Sequence, residues 1–348
     1  MVVACGRLLG RAVGRLRQPT VIGEVLSGIL LGPSLLGAVA PGVEAYLFPA
    51  SARPVLANIA QAGVLLYMFL VGLEFDTAVL RQRTLSIAAT SQAAVLVPFA
   101  LGCALALALP ARLGPPLAPR VSFVLFIGVA MSITAFPVLA RILADRGLTR
   151  TDLGHAALTC AAINDVMAWA LLAAVVGVTR AMPASGVPGE FVIAFAAGAV
   201  IPAGSDFARA TGRWLGGAVT MLLLPAFFAL TGLKTQLALV SSPGDWLLCG
   251  AIIAVATAGK LGGAALASRR AGQSWRFAAQ LGILMNTRGL MELIVLAVGL
   301  EAGIIGPALF TMMVIMAVVT TAMTGPLLDS VSARGEGDRQ DREERADA

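Results

Sequence analysis

The chain has 348 residues, 58% of them hydrophobic and 13% charged, against roughly 25% charged in an ordinary soluble domain, which excludes a soluble globular fold and points to lipid. The apolar stretches are long and do not alternate, so an outer-membrane barrel is excluded as well and membrane helices remain. A net charge of +6 does not mark a nucleic-acid binder, because the basic residues lie in short loops between apolar spans and form no continuous patch.

Residues 1–18 form a basic segment that lacks an apolar core long enough for a cleaved signal, and a helix starting near Thr20 directs its own insertion. From there the pattern predicts an all-α polytopic membrane protein with about ten transmembrane helices, near 19–37, 54–73, 85–109, 121–143, 153–179, 188–204, 214–232, 246–268, 277–299 and 304–328. The sixth of these is short. Residues 329–348 mix both charge signs with Gly and show no apolar period, which predicts a disordered cytoplasmic tail.

Assigning Lys and Arg alternately to the two sides of ten spans puts eighteen on one side and five on the other, with Lys260 and Arg288 inside spans. That asymmetry predicts both termini in the cytoplasm, and a multi-pass protein of the inner (plasma) membrane. The chain also resembles itself. VIGEVLSGILLGP near Val21 matches FVIAFAAGAVIP near Phe191, LLYMFLVGLEFDTAVL matches LPAFFALTGLKTQLAL, and GVAMSITAFPVLARILADRGL matches GILMNTRGLMELIVLAVGLEAG. Five helices per half make the expected repeats inverted, 19–180 and 181–328, a recurring plan of secondary transporters.

Candidate chemistry follows in chain order. In SITAFP, Ser132, Thr134 and Pro137 suit a continuous apolar helix poorly; in NTRG, Asn286, Thr287, Arg288 and Gly289 suit it no better. Both segments are read as locally unwound, crossing interruptions whose free carbonyls and helix ends can serve an ion, the other reading of Pro137 being an ordinary kink. Asn164 and Asp165 fall near the middle of a helix, where an ionised carboxylate costs about 2.5–3.5 kcal/mol on insertion scales and so marks function. A carboxylate that binds a proton or a small cation, never both, supplies competition, and competition at one alternately exposed site is enough for exchange. Asn164, Ser132 and Thr134 are candidate oxygen ligands beside it.

Lys260 is a supporting charge that could pair with Asp165, or with Arg288 could hold it in a merely structural pair. Glu292 stands one turn after Arg288, where the two can neutralise each other. Glu24 in the first span and His155 at a helix start are weaker signals. An intramembrane aspartyl protease would need two aspartates at mid-membrane, and Asp165 is the only one away from the span edges. No enzyme, resident cofactor or nucleic-acid partner is expected; the transported species would be Na+ or K+ and H+, bound transiently at Asp165. Four scattered cysteines read as packing residues.

Taken together, RQPTVIGEVLSGILLGPSLLG, LVGLEF, SITAFPVLARIL, CAAINDVMAW, PAFFALTGL, AGKLGG and NTRGLMELIVL resemble the cation:proton antiporter superfamily, specifically its second family, over about Arg17 to Leu328. The resemblance implies an elevator-like homodimer whose core bundle carries Asp165, the essential carboxylate, and moves against a scaffold. It also implies that an opening helix and two helices between Arg180 and Glu190 are missing from this chain, all of them scaffold and dimer-forming pieces. By the same resemblance Asn164 suits electroneutral exchange and Lys260 accompanies electrogenic members, which leaves stoichiometry open. Two alternatives stand beside the antiporter: a gated potassium efflux channel of similar fold, and an antiporter core that no longer transports.

Overall fold

The computed structural model describes residues 2–15, 18–49, 51–74, 85–115, 119–179, 187–202, 205–219 and 224–346. Within them the chain is all helical: α1 (Val2–Arg15), α2 (Thr20–Leu31), the short α3 (Leu36–Val39) and α4 (Pro41–Leu47), α5 (Ala52–Glu74), α6 (Leu85–Ala108), α7 (Arg120–Ser132), α8 (Phe136–Asp145), α9 (Asp152–Thr179), α10 (Val187–Ala199), α11 (Asp206–Ala218) and α12 (Leu224–Lys234). There follow α13 (Pro243–Thr257), a π-helical turn (Ala258–Gly262), α14 (Gly263–Arg270), α15 (Trp275–Met285), α16 (Leu290–Glu301) and α17 (Pro307–Ala346). The last helix therefore runs through most of 329–348, the stretch for which the sequence suggests no packed structure.

Among the described residues six stretches are long and apolar enough to cross a membrane: Ile22–Val39, Ile87–Ala108, Arg120–Asp145, Asp152–Leu172, Pro243–Arg270 and Pro307–Val331. A seventh is made if Trp275–Met285 and Leu290–Glu301, bent by 43°, are taken as one span. This corrects the expectation of ten spans in a five-plus-five inverted repeat. The three that fail are those predicted at 54–73, 188–204 and 214–232. The apolar part of α5 is limited to Pro54–Leu70. α10 has only 13 residues, about 20 Å at 1.5 Å per residue, well short of a ~30 Å hydrocarbon core. The stretch at 214–232 is shared between the basic α11 and the 11-residue α12, and its middle, 220–223, lies outside the described residues. So do Arg81, Arg83 and the junction at 180–186, where the resemblance implies missing helices.

The helices sort into two bundles. α1, α2, α5, α10, α11 and α12 pack mainly on one another, and α6–α9 with α13–α17 form a second group. The first will be called the frame and the second the core bundle. Close glycine approaches build the frame, as small residues do between membrane helices. A Cβ on Gly72 would lie 2.2 Å from Phe195 O and one on Gly198 2.2 Å from Phe69 O, so α5 and α10 touch backbone to backbone. α12 meets α2 in the same way, Gly232 against Val25 O and Gly28.

The core bundle holds five of the six long spans and the bent pair. Its apolar mass is made of large side chains such as Phe123, Phe126, Met131 and Phe310, each at most 2% exposed. Packed among them is an unusual number of buried polar groups, including Ser91, Asn164, Asp165, Lys260, Arg288 and Glu292.

Candidate functional site

Two helices of the core bundle are broken, and the breaks meet. α7 ends at Ser132; Ile133, Thr134 and Ala135 are non-helical; α8 then starts with Pro137 in its first turn. A proline there loses no intrahelical bond, because the first N–H groups of a helix are unpaired in any case. The segment is thus a true interruption and not a kink. In the other helix α15 ends at Met285 and α16 resumes at Leu290, with Gly289 extended between them. Ala135 N–H donates to Thr287 O at 3.1 Å, backbone to backbone across the crossing. Gly289 permits this approach, since a Cβ there would stand 2.7 Å from Val138 Cγ2.

A helix that stops inside the membrane leaves its last carbonyls unpaired, with partial negative charge. At the end of α7 two cations answer them. Arg288 donates through Nη1 to Ala130 O (3.2 Å) and through Nη2 to Met131 O (2.9 Å). Lys260 Nζ donates to Ser132 O and, at 2.6 Å, to Thr134 Oγ1. Both side chains are fully buried. Lys260 reaches the break from the π-helical turn, whose wider i→i+5 closure is rare and often found at functional sites. Arg288 also forms a buried ion pair with Glu292 Oε2 at 3.1 Å. Thr321 of α17 holds the backbone of Arg288 twice, accepting from its N–H (3.0 Å) and donating to its carbonyl (2.7 Å).

Asn164 is locked from several sides. Its amide is satisfied when the nitrogen faces Ser91 O (3.0 Å), Ser91 Oγ (3.0 Å) and Cys160 O (3.1 Å) and the oxygen accepts from Thr134 Oγ1 at 3.3 Å. A chain of polar contacts therefore runs from Lys260 through Thr134 and Asn164 to Ser91. The hydroxyl of Ser132 donates to Val129 O at 2.7 Å, so its carbonyl rather than its hydroxyl meets Lys260.

Asp165, the neighbour of Asn164, is different. It is 4% exposed, forms no ion pair within 4 Å among the described residues, and its Oδ1 has no hydrogen-bond partner. One turn further along α9, Trp169 Nε1 is also buried and unpartnered, and so are both amide atoms of Asn286 in the second break. The expected Lys260–Asp165 pair is not formed at contact distance, because Lys260 is committed to the end of α7. Of the predicted site residues, Ser132, Thr134, Asn164, Lys260, Arg288 and Glu292 are joined by bonds or ion pairs around the two breaks, whereas Asp165 stands beside them unbonded. Glu24 is half-buried in the frame and His155 is exposed near the start of α9. Among the described residues no three His, Cys, Asp or Glu side chains gather as a metal site.

Sequence reasoning missed Ser91, Thr321, Trp169 and the π-helical turn. Ser91 sits in the polar run Thr90–Ser91–Gln92 of an otherwise apolar span and Thr321 in the run Thr320–Thr321, so both had a visible signal.

The family "Sodium/hydrogen exchanger, transmembrane" matches residues 1–214 and 190–332 of this sequence. The chain belongs to that family. It is a secondary active cation/proton antiporter and not an enzyme. The Na(+)/H(+) antiporter NhaS4 of Synechocystis sp. is 38% identical to the exchanger, with 94% of each chain covered. Cation/H(+) antiporter 17 of Arabidopsis thaliana is 35% identical over 96% of this chain, which spans 48% of that longer protein. The solved structure of the sodium proton antiporter MjNhaP1 from Methanocaldococcus jannaschii shares the fold, with a TM-score of 0.58 at 13% identity over 96% of this chain and 95% of that one.

Proposed function

We propose that Asp165 is the group at which a proton and a monovalent cation, Na+ or K+, compete, and that alternate exposure of this carboxylate to the two sides of the membrane performs the exchange. One observation carries the reading. The two buried cations of the core bundle are both engaged with the carbonyl end of α7, while Asp165 Oδ1 is buried and bonded to nothing. The cluster thus leaves a single carboxylate free to change its load.

The energetics couple the two fluxes. An ionised carboxylate at the centre of a bilayer costs about 2.5–3.5 kcal/mol even on the mildest scales. An unloaded Asp165 therefore opposes carriage of the core bundle past the apolar wall of the frame, and a loaded one, neutralised by a proton or a cation, does not. Since only loaded forms cross, each crossing in one direction with a cation is balanced by a return with a proton. Thr134 and Ser132 contribute oxygens at the adjoining break, where the Lys260 ammonium now stands on atoms that suit a desolvated monovalent cation. Asn164, fixed by Ser91, orients Thr134. Arg288, Glu292 and Lys260 neutralise the broken helix ends so that the interruption can persist in lipid.

The same reading places the exchanger in the inner (plasma) membrane with both termini in the cytoplasm, because Arg11, Arg15, Arg141 and Arg146 converge on one end of the molecule. It extends to a homodimer formed through the frame, whose α10 and α11 present Ile193, Phe207 and Trp214 outward; the mass of the protein in mild detergent measures this directly.

The deciding experiment is dissipation of a pH gradient in proteoliposomes on addition of Na+, K+ or Li+, with wild type beside Asp165→Asn. Wild type responds and the order of responses ranks the cations, while Asp165→Asn, equally well folded, falls to the background of empty vesicles. A cation response that survives in Asp165→Asn would remove Asp165 from the mechanism.

A further inference from the structure

Outside the transport site, a cleft of about 1010 Å3 between the frame and the core bundle is left unexplained. One wall is α1 with the approach to α2; the other is α8 and the loop after it, with α17. Four guanidinium groups line it, from Arg11, Arg15, Arg141 and Arg146, against two carboxylates, Asp145 and Asp329. Asp329 is taken by Arg146 in a two-pronged ion pair, and Asp145 stands 3.8 Å from Arg141. Arg11 and Arg15 are then left over. They lie one turn apart on α1, both exposed, and among the described residues neither is in an ion pair.

Such an excess of positive charge repels a cation, so the cleft does not hold the transported ion. It fits an anion. Guanidinium groups are planar forks that bind phosphate oxygens through paired hydrogen bonds, and two of them four residues apart can hold one phosphate between them. A second polar feature narrows the ligand. Gln18, also in the wall, has a buried Oε1 with no partner. An acceptor left bare beside a phosphate site calls for a ligand that carries a hydroxyl next to its phosphate.

The level of the cleft in the membrane supplies the source. Arg11 and Arg15 precede the span Ile22–Val39, Arg141 and Arg146 stand at the end of Arg120–Asp145, and Asp329 is near the end of Pro307–Val331. All lie where helices leave the hydrocarbon, at the depth of lipid headgroups. We propose that this cleft is a binding site for the phosphate and hydroxyls of an anionic glycerophospholipid headgroup, which bridges the frame and the core bundle. A bound headgroup would link α1 to α8 and α17, so lipid composition would act on the relative position of the two bundles.

The test reads binding and not transport, so it stands or falls apart from the role of Asp165. The full chain in mild detergent is titrated with short-chain phosphatidylglycerol, phosphatidylcholine, phosphatidylmethanol or inorganic phosphate, and the thermal unfolding midpoint is followed. Phosphatidylglycerol is expected to raise the wild-type midpoint and phosphatidylcholine to leave it in place. Arg11→Gln/Arg15→Gln, with an unchanged midpoint in the absence of lipid, should need about tenfold or more of phosphatidylglycerol for the same shift. Gln18→Leu is the second variant, and should erase the preference for phosphatidylglycerol over phosphatidylmethanol, which has the phosphate without the hydroxyls. A shift by inorganic phosphate at the same concentration, lost in the arginine variant, would keep the phosphate site and overturn the lipid as its source. An equal response to phosphatidylglycerol in wild type and both variants, or none in wild type, would overturn the proposal.

Discussion

In the frame, buried hydroxyls bond within or just past their own helix: Ser27 to Glu24 O, Thr231 to Phe227 O and Thr235, one residue beyond α12, to Thr231 O. In the core bundle some buried hydroxyls do the same, as Ser132, Thr320 and Thr324 do, but other buried polar side chains reach across to another element: Lys260 to Ser132, Arg288 to Ala130 and Met131, Ser91 to Asn164 and Thr321 to Arg288. Glycine-to-backbone contact, which depends on shape alone, closes the frame. The core bundle has such contacts too, as Gly282 has with Leu261 O, and adds directional bonds between charged or polar groups that have no other partner available in lipid. The difference teaches where change is tolerated. Shape-based contacts fail when atoms are added, and polar cross-links fail when one member is taken away.

The largest effect expected from that contrast is in the core bundle. Arg288→Met should destabilise the protein by about 3–5 kcal/mol, because it leaves Glu292 buried without its cation and uncovers the end of α7. Arg288→Met/Glu292→Leu should recover most of that loss in unfolding measurements without restoring exchange. Next comes the frame. Gly72→Leu forces a side chain into the carbonyl of Phe195 and should cost about 1–3 kcal/mol or more, with added bulk at Gly198 giving little further loss because the same crossing is already open. Thr321→Val keeps the volume but removes both bonds to the backbone of Arg288; about 1–3 kcal/mol is expected, together with a fall in exchange rate greater than the fall in folded protein. The smallest effect should come from Lys234→Ala. Its 2.7 Å ion pair with Glu301 joins frame to core bundle at the partly exposed end, so the loss in stability should stay below about 1 kcal/mol. A silent Gly72→Ala, whose Cβ alone meets the carbonyl of Phe195, or a silent Thr321→Val, would break the distinction between the two bundles.

The same contrast decides how much could be read from the sequence. The interruptions were legible because Ser, Thr, Pro, Asn, Arg and Gly crowd into SITAFP and NTRG, where an apolar helix has no use for them. Asn164 and Asp165 were legible for the same reason. In the frame, by contrast, α10 and α12 are mostly apolar; the shortness of the sixth span was visible in the sequence, but that of α12 was not. An even count of ten spans therefore fitted the loop charges without being true of the helices. The bonding of Asn164 was hidden too, since its partner Ser91 is 73 residues away in sequence.

The π-helical turn at Ala258–Gly262 carries one last implication. An α-helix advances about 100° per residue, so a turn closed by i→i+5 bonds shifts the phase of everything beyond it relative to everything before. Upstream of it Cys249 and Ile252 are buried, and beyond it Gly263 fits against Ala93 O of α6. Both faces can be seated at once, with Lys260 turned toward the break, only because the extra residue is there. In this helix a change of length by one residue amounts to removing a charge from the middle of the membrane, although no charged residue has been altered.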